Sequence, residues 1–460
     1  MGLRHEKQSM DTYRGTVLRC SYDRAEADGL DAVALGDRVA IQGAGDALVS
    51  ALFRDYVQLD RLSATACQKG AVVRAQGPLQ VPIADALLGR HIDPLGRPLD
   101  GGSPISHDAY QRVWSSLPRS MPDYRFRLTL GPLVYDLRRK LRLGTAVLAF
   151  GEPHDVLHQV VRHQTLENRI SIHARLTSPQ GRSPSRRDLP SEIVVDTPAG
   201  STDLARWMVP WSALAIAEGF RQRGRDVVVV VDSLDVFRTL SLRLPSRGSW
   251  VTQLGQLSTR AVATEEGSVN LIVYAEKRPC AEAIDMFDEV VDLRQALHGT
   301  IGRISTKFVY PPHRLMPPRF GAIVARVSEY DLVEAAAPWY LVKSEASTDP
   351  ESGDRDPSID LRWGRRLRAC LQFGPRISAG SAEQLLALIA VMEADYLTPP
   401  QVADFRDDLT EHLERNCGDL LSRVRDSSIS DDEILTRVTD VAREVARKRG
   451  LQPPLGPERA

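Results

Sequence analysis

Cysteine is scarce in this chain and badly spaced for chemistry. The five cysteines, Cys20, Cys67, Cys280, Cys370 and Cys417, are odd in number, scattered, and never in a CxxC spacing. That pattern argues against a disulfide framework or a zinc site and fits a reducing, cytoplasmic compartment. A charge excess of one sign is also missing, since 59 basic side chains face 60 acidic ones. Nothing in the overall charge would therefore hold nucleic acid or an anionic membrane. No run reaches the ~20 apolar residues needed to cross a bilayer. The opening MGLRHEKQSMDTYRG has no apolar h-region, so membrane association has to pass through partners.

Core-forming residues are plentiful: 42% of the 460 residues are apolar and 26% charged, the balance of a globular chain long enough for several domains. After a short polar N-terminus at 1–12, residues 13–83 carry short apolar segments (GTVLRCSY, AVALGDRVAIQG, GAVVRA, LQVPI) split by glycine- and aspartate-rich breaks. These predict a small β-barrel. Residues 84–126 open with ADALLGRHIDPLGRPLDGG, whose glycines and prolines impose repeated turns on a chain still carrying apolar anchors, as a structured connector would. Over 127–343, apolar strand candidates (TAVLAF, ISIHA, EIVVD, DVVVVVD, SVNLIVYA) alternate with the helical stretches LARWMVPWSALAIAEGFRQRG and VTQLGQLSTRAVA. All-apolar strands imply a parallel sheet covered on both faces. An acidic, proline-bearing linker at 344–358 precedes amphipathic helices at 359–448 and a tail at 449–460. The last helix opens on a capping box, Ser430 with Glu433.

This order of β-barrel, connector, RecA-like P-loop-NTPase-type α/β domain and helical bundle resembles that of F1 rotary ATP synthase alpha and beta subunits. Individual segments resemble the alpha subunit in particular. VPIADALLGRHIDPLGRPLDGG is similar to the alpha connector, and LGPLVYDLRRKLRLGTAVLAFG keeps the spacing that leads into the phosphate loop. ARWMVPWSALAIAEGFRQRGRDVVVVVDSLDVFRTLSL aligns with the segment ending in the Walker B strand, and LRACLQFG and SDDEILTRV resemble alpha rather than beta.

The phosphate loop itself departs from the family. A working loop, GxxxxGK[ST], brings backbone N–H groups and a lysine to the phosphates and a hydroxyl to magnesium. Here the aligned stretch is GEPHDVLH: Gly151 survives, but Val156 replaces the second glycine, Leu157 the lysine and His158 the hydroxyl. Losing these groups weakens nucleotide binding by roughly 1–3 kcal/mol per charge-assisted contact, and Glu152 and Asp155 repel phosphate. The expectation is therefore no tightly bound nucleotide and no metal in this chain's own site. His154, Asp155 and His158 lack any pattern that would make them a metal cluster. Asp232 aligns with the Walker B aspartate, but Ser233 replaces the second acidic residue of the motif. Without a phosphate loop, the favoured reading of Asp232 is a carboxylate capping the turn after its strand. SPQGRSPSRRDLP and PSRGSW stand where the family has longer elements, which puts a purine pocket partner and the rotor contact in doubt.

GAIVARVSEY resembles the family segment that carries an arginine finger, with Gly321 and Arg326 at the family's interval. The resemblance implies that Arg326 reaches the active site of an adjacent catalytic beta-type subunit. There a planar, permanently charged guanidinium would stabilise the transferring phosphoryl group. It further implies a non-catalytic alpha-type subunit in a hexameric ring around a gamma-type rotor, with ATP or ADP and Mg2+ at the shared interface. That places the chain in an F1-like sector peripheral to the inner membrane, on the cytoplasmic side. The short polar start suggests that any stalk docking differs from the family's. Two other readings stay open: a homohexameric secretion-type ATPase, against which GEPHDVLH argues, and a pseudo-ATPase scaffold outside rotary machinery.

Overall fold

Residues with alternating burial open the chain. Strands β1 (Arg14–Cys20), β2 (Arg24–Asp28), β3 (Asp37–Ile41), β4 (Gly45–Leu52), β5 (Val57–Arg61) and β6 (Val72–Pro78) close into an antiparallel barrel ordered β1-β2-β5-β4-β3-β6. Val17, Ala25, Ala27, Val39, Ile41, Ala47, Val49, Leu59 and Val73 fill it, the inward half of a period-two pattern. The computed structural model describes residues 14–30, 32–114, 143–151, 164, 169–176, 192–244, 248–293, 366, 369–370, 381–394, 396–425 and 429–451. The expected N-terminus at 1–12, the linker at 344–358 and nearly all of the tail lie outside them. Two units divide the chain: one of residues 1–122, 144–149 and 169–290, the other of residues 123–143, 150–168 and 291–460.

In the first unit the turn-rich segment is ordered by its own polar groups. Strand β7 (Gln80–Ile83) pairs with β9 (Ala109–Arg112), and β8 (His91–Ile92) lies between them in sequence. The Asp100 carboxylate accepts from Arg90 Nε at 2.6 Å and Nη2 at 3.0 Å, from Gly102 N at 2.9 Å and from His91 N at 3.3 Å. The Arg90 guanidinium holds Asp100 far below the usual carboxylate range. Asp93 Oδ1 accepts from Leu95 N at 2.9 Å and Arg97 N at 2.8 Å, closing the PLGR turn. Burial pushes the Asp93 carboxyl up.

Beyond it come β10 (Ala146–Phe150), β11 (Ile170–Arg175), β12 (Glu192–Val195), helix α1 (Asp203–Arg221) and β13 (Asp226–Asp232). Then follow α2 (Leu234–Arg243), α3 (Trp250–Ser258), β14 (Val262–Ala263), β15 (Ser268–Ala275), the short α4 (Ala281–Ile284) and β16 (Glu289–Asp292). Among the described residues these strands and β8 form an eight-stranded sheet, in which β14 pairs with β15 and the rest run β16-β10-β15-β13-β11-β12-β8. The β8-β12-β11-β13-β15 pairings are parallel. The connector thus supplies an edge strand to the sheet. Val227 to Val231 of β13 are at most 1% exposed, as burial on both faces requires. VTQLGQLSTRAVA is not helical throughout: α3 stops at Ser258, and Val262–Ala263 run antiparallel to β15.

In the second unit, α5 (Ser381–Glu393), α6 (Pro399–Asn416), α7 (Gly418–Arg425) and α8 (Asp431–Lys448) pack around Leu386, Val391, Val402, Phe405, Leu409, Leu420, Val424 and Val438. The capping box expected at Ser430 forms by half. Ser430 Oγ accepts from Glu433 N at 3.4 Å, but the Glu433 carboxylate takes both Arg423 nitrogens, at 2.6 and 2.9 Å. A guanidinium offers two charge-assisted bonds where the backbone offers one neutral donor.

Within the first unit α1 is buried on nearly every side, from Leu204 to Arg221. Its Glu218 accepts from Arg260 Nε at 2.6 Å, and the two side chains are only 3% and 6% exposed. Arg260 Nη1 also donates to Val113 O at 3.0 Å, and Gln111 Nε2 approaches Glu218 Oε2 at 3.4 Å. One guanidinium thereby joins helix, post-α3 turn and connector. Breaking such a pair from one side leaves a buried charge uncompensated. Arg260→Met is expected to cost about 3–5 kcal/mol in urea unfolding. Pairing it with Glu218→Leu should recover part of that loss, because the stranded carboxylate goes too; no recovery would contradict this role.

Candidate functional site

The parallel register sets polar side chains of neighbouring strands on one face of the sheet. Ser171 pairs with Glu192, His173 with Val194 and Val230, and Arg175 with Asp232. Because alternate residues share a face, His173, Arg175, Glu192 and Asp232 gather together. His173 is 2% exposed. Its Nε2 lies 3.9 Å from Asp232 Oδ2 and its Nδ1 3.8 Å from Glu192 Oε1. Beside it, Asp196 Oδ2 lies 3.8 Å from Arg175 Nη1 and 3.5 Å from His91 Nε2. Three carboxylates, one guanidinium and two imidazoles therefore form a buried polar layer. Among the described residues no three His, Cys, Asp or Glu side chains are arranged to hold a metal ion.

Asp232 ends β13 and is 7% exposed. Its carbonyl accepts from Leu176 N at 2.7 Å, and its carboxylate faces His173. The peptide to Ser233 is cis. Ser233 is the N-cap residue of α2 and makes no side-chain cap bond, while Asp235 in the first turn receives the Glu276 N–H at 3.2 Å. Gly151, directly after β10, is buried with φ +106°, a conformation that only glycine adopts without strain. The stretch aligned with the family's phosphate-loop motif, GEPHDVLH, begins at this residue. Val156, Leu157, His158 and Arg326 lie outside the described residues. His173, Arg175, Glu192 and Asp196 were not singled out from the sequence. The signal for His173 and Arg175 is the alternation S-H-R within ISIHAR, masked by the apolar residues between, and Glu192 and Asp196 bracket the apolar run of EIVVD.

Parallel sheets bind ligands beyond the carboxyl ends of their strands, and there, among the described residues, Asp196 and Asp232 stand beside Arg175.

No protein-family model matches the chain. It is similar to the ATP synthase subunit alpha 2 of Burkholderia thailandensis, with 28% identity over 243 residues, 48% of this chain and 42% of that protein. The protein of the same name from Burkholderia pseudomallei is 28% identical over 241 residues, 48% of this chain and 35% of the relative. The one from Cereibacter sphaeroides is 29% identical over 235 residues, 48% and 47% respectively. This chain is a distant relative of these alpha-type proteins. It spans less than half the length of each of these curated relatives. Its architecture of six-stranded barrel, central parallel α/β sheet and C-terminal helices fits that relationship. Among the described residues no helix is long and apolar enough to cross a membrane.

His173→Leu sets Glu192 and Asp232 against an apolar side chain and is expected to cost about 1–3 kcal/mol, the penalty for stranding a buried polar group. His173→Gln, which keeps a donor, should cost less. Urea unfolding of the two variants checks the order, and equal losses would contradict it.

Proposed function

We propose that this chain is a non-catalytic, structural and regulatory alpha-type subunit of an F1-like, proton-translocating ATP synthase. In this reading it alternates with catalytic beta-type subunits in a hexameric ring around a gamma-type rotor, peripheral to the inner membrane on the cytoplasmic side. The domain limits of 13–83, 84–126, 127–343 and 359–448 belong to the same reading.

The observation that carries it is the sequence that follows β10. The relationship to alpha-type proteins supplies the frame, and GEPHDVLH removes the phosphate-binding lysine and hydroxyl from it, with Leu157 and His158 in their places. Asp232 is then a remnant that orders buried polar groups rather than a magnesium ligand.

A chain that holds no nucleotide tightly can still complete a neighbour's site. Arg326 is the residue assigned that role. Its guanidinium would cross to ATP or ADP with Mg2+ on the beta-type subunit and meet the charge that develops on the transferred phosphoryl group. An arginine finger of this kind is worth about 10³-fold or more in rate. It requires no phosphate loop on the donating chain.

In the assembled complex, Arg326→Ala is expected to lower ATP hydrolysis by about 10³-fold while native electrophoresis shows the ring intact. Unchanged turnover by an intact ring would overturn the role.

A further inference from the structure

Cys20 and Cys67 are 47 residues apart in sequence, yet the Cys20 thiol donates to the Cys67 carbonyl oxygen at 2.8 Å. Both side chains pack against the barrel core and are partly buried. Cys20 is the last residue of β1, and Cys67 stands in the loop between β5 and β6.

Both segments are fixed by one cation. Arg61, 2% exposed, donates through Nη1 to Ser21 O at 2.7 Å and Tyr22 O at 3.2 Å, immediately after Cys20. Through Nη2 it reaches Thr65 O, two residues before Cys67. The loop is also tied to β1 by Gly70 N to Val17 O at 2.8 Å and Val17 N to Ala71 O at 2.9 Å. Ordering two groups side by side in this way raises their effective concentration toward each other far above that of free thiols.

We infer that Cys20 and Cys67 form a reversible oxidation site, a dithiol that a small-molecule disulfide such as oxidised glutathione converts to an intramolecular disulfide, stapling the β5–β6 loop to the end of β1. One cysteine thiolate attacks a sulfur of the small disulfide, forms a mixed disulfide and expels one thiolate. The other cysteine thiolate attacks the protein-side sulfur, closes the Cys20–Cys67 bond and expels the second. Two protein thiols are oxidised, one small disulfide is reduced, and the protons shed by the cysteines end on the two released thiols. Burial, and after it the neighbouring Cys20 thiol, pushes the Cys67 pKa up. Its thiolate is therefore sparse at neutral pH, and closure should accelerate as pH rises.

The test uses the full chain, incubated with oxidised glutathione at pH 7 and pH 8, quenched with iodoacetamide and digested with trypsin without reductant. The expected product is CSYDR joined to LSATACQK, two hydrogen masses lighter than the separate peptides, forming faster at pH 8 and dissolved by dithiothreitol. Exposed Cys280 takes up glutathione in the same sample and shows that the oxidant is competent. In Cys20→Ser, Cys67 should instead retain glutathione. With Cys280 modified, recovery of the two wild-type peptides alkylated, or each carrying its own glutathione, would overturn the inference.

Discussion

Glu218 and Arg260 meet at 2.6 Å with almost no access to water, and the first unit is arranged around keeping them together. Two buried charges are tolerated only when paired and further bonded, so α1, the turn after α3 and the connector backbone at Val113 must approach in one register. Gly219, next to Glu218, makes that approach feasible: a Cβ there would stand 2.6 Å from Ile83 Cδ1 and Cγ1. The helix is therefore fitted to the end of β7 through a missing methyl group and to the connector through a charge pair. Arg223 adds a bond to Ile83 O at 3.0 Å and one to Asp108 at 2.7 Å on the same seam.

That constraint explains how the fold can accommodate the sequence GEPHDVLH where the family has its phosphate-loop motif. The sheet is built from apolar strands and the ion pair, and none of its described contacts needs a bound nucleotide. On the polar face, His173 sits between Glu192 and Asp232, and Asp196 between Arg175 and His91. A layer of this kind holds an aspartate at the end of β13 by protein groups. A shared architecture and a changed phosphate-loop sequence are thus compatible, as the proposed division of labour between neighbouring subunits requires.

Much of the architecture was legible in the sequence because it rests on periodicity. Short apolar segments split by glycine- and aspartate-rich breaks revealed the barrel, and the run DVVVVVD marked a strand buried on both faces. Turn chemistry marked the connector, but only the fold reveals that His91–Ile92 within it joins the sheet, since two residues carry no period. The Glu433 carboxylate escaped its capping role because a long-range partner, Arg423, outbids a local rule. The polar layer around His173 was hidden for a similar reason: S, H and R in ISIHAR read as interruptions of an apolar strand until neighbouring strands set carboxylates beside them. Scattered cysteines gave no hint of a pair, because the contact between Cys20 and Cys67 is made by barrel closure and not by spacing.

In the proposed function this chain works inside a ring beside catalytic subunits that carry a GxxxxGK[ST] motif where it has GEPHDVLH. The most direct test is co-expression with a beta-type chain having an intact GxxxxGK[ST] loop, followed by affinity purification through this chain and measurement of the stoichiometry and mass of the eluted complex. The expected product is an alternating, equimolar ring that hydrolyses ATP only when both chains are present. Elution of this chain alone, or as a ring of its own that binds Mg-ATP, would contradict it.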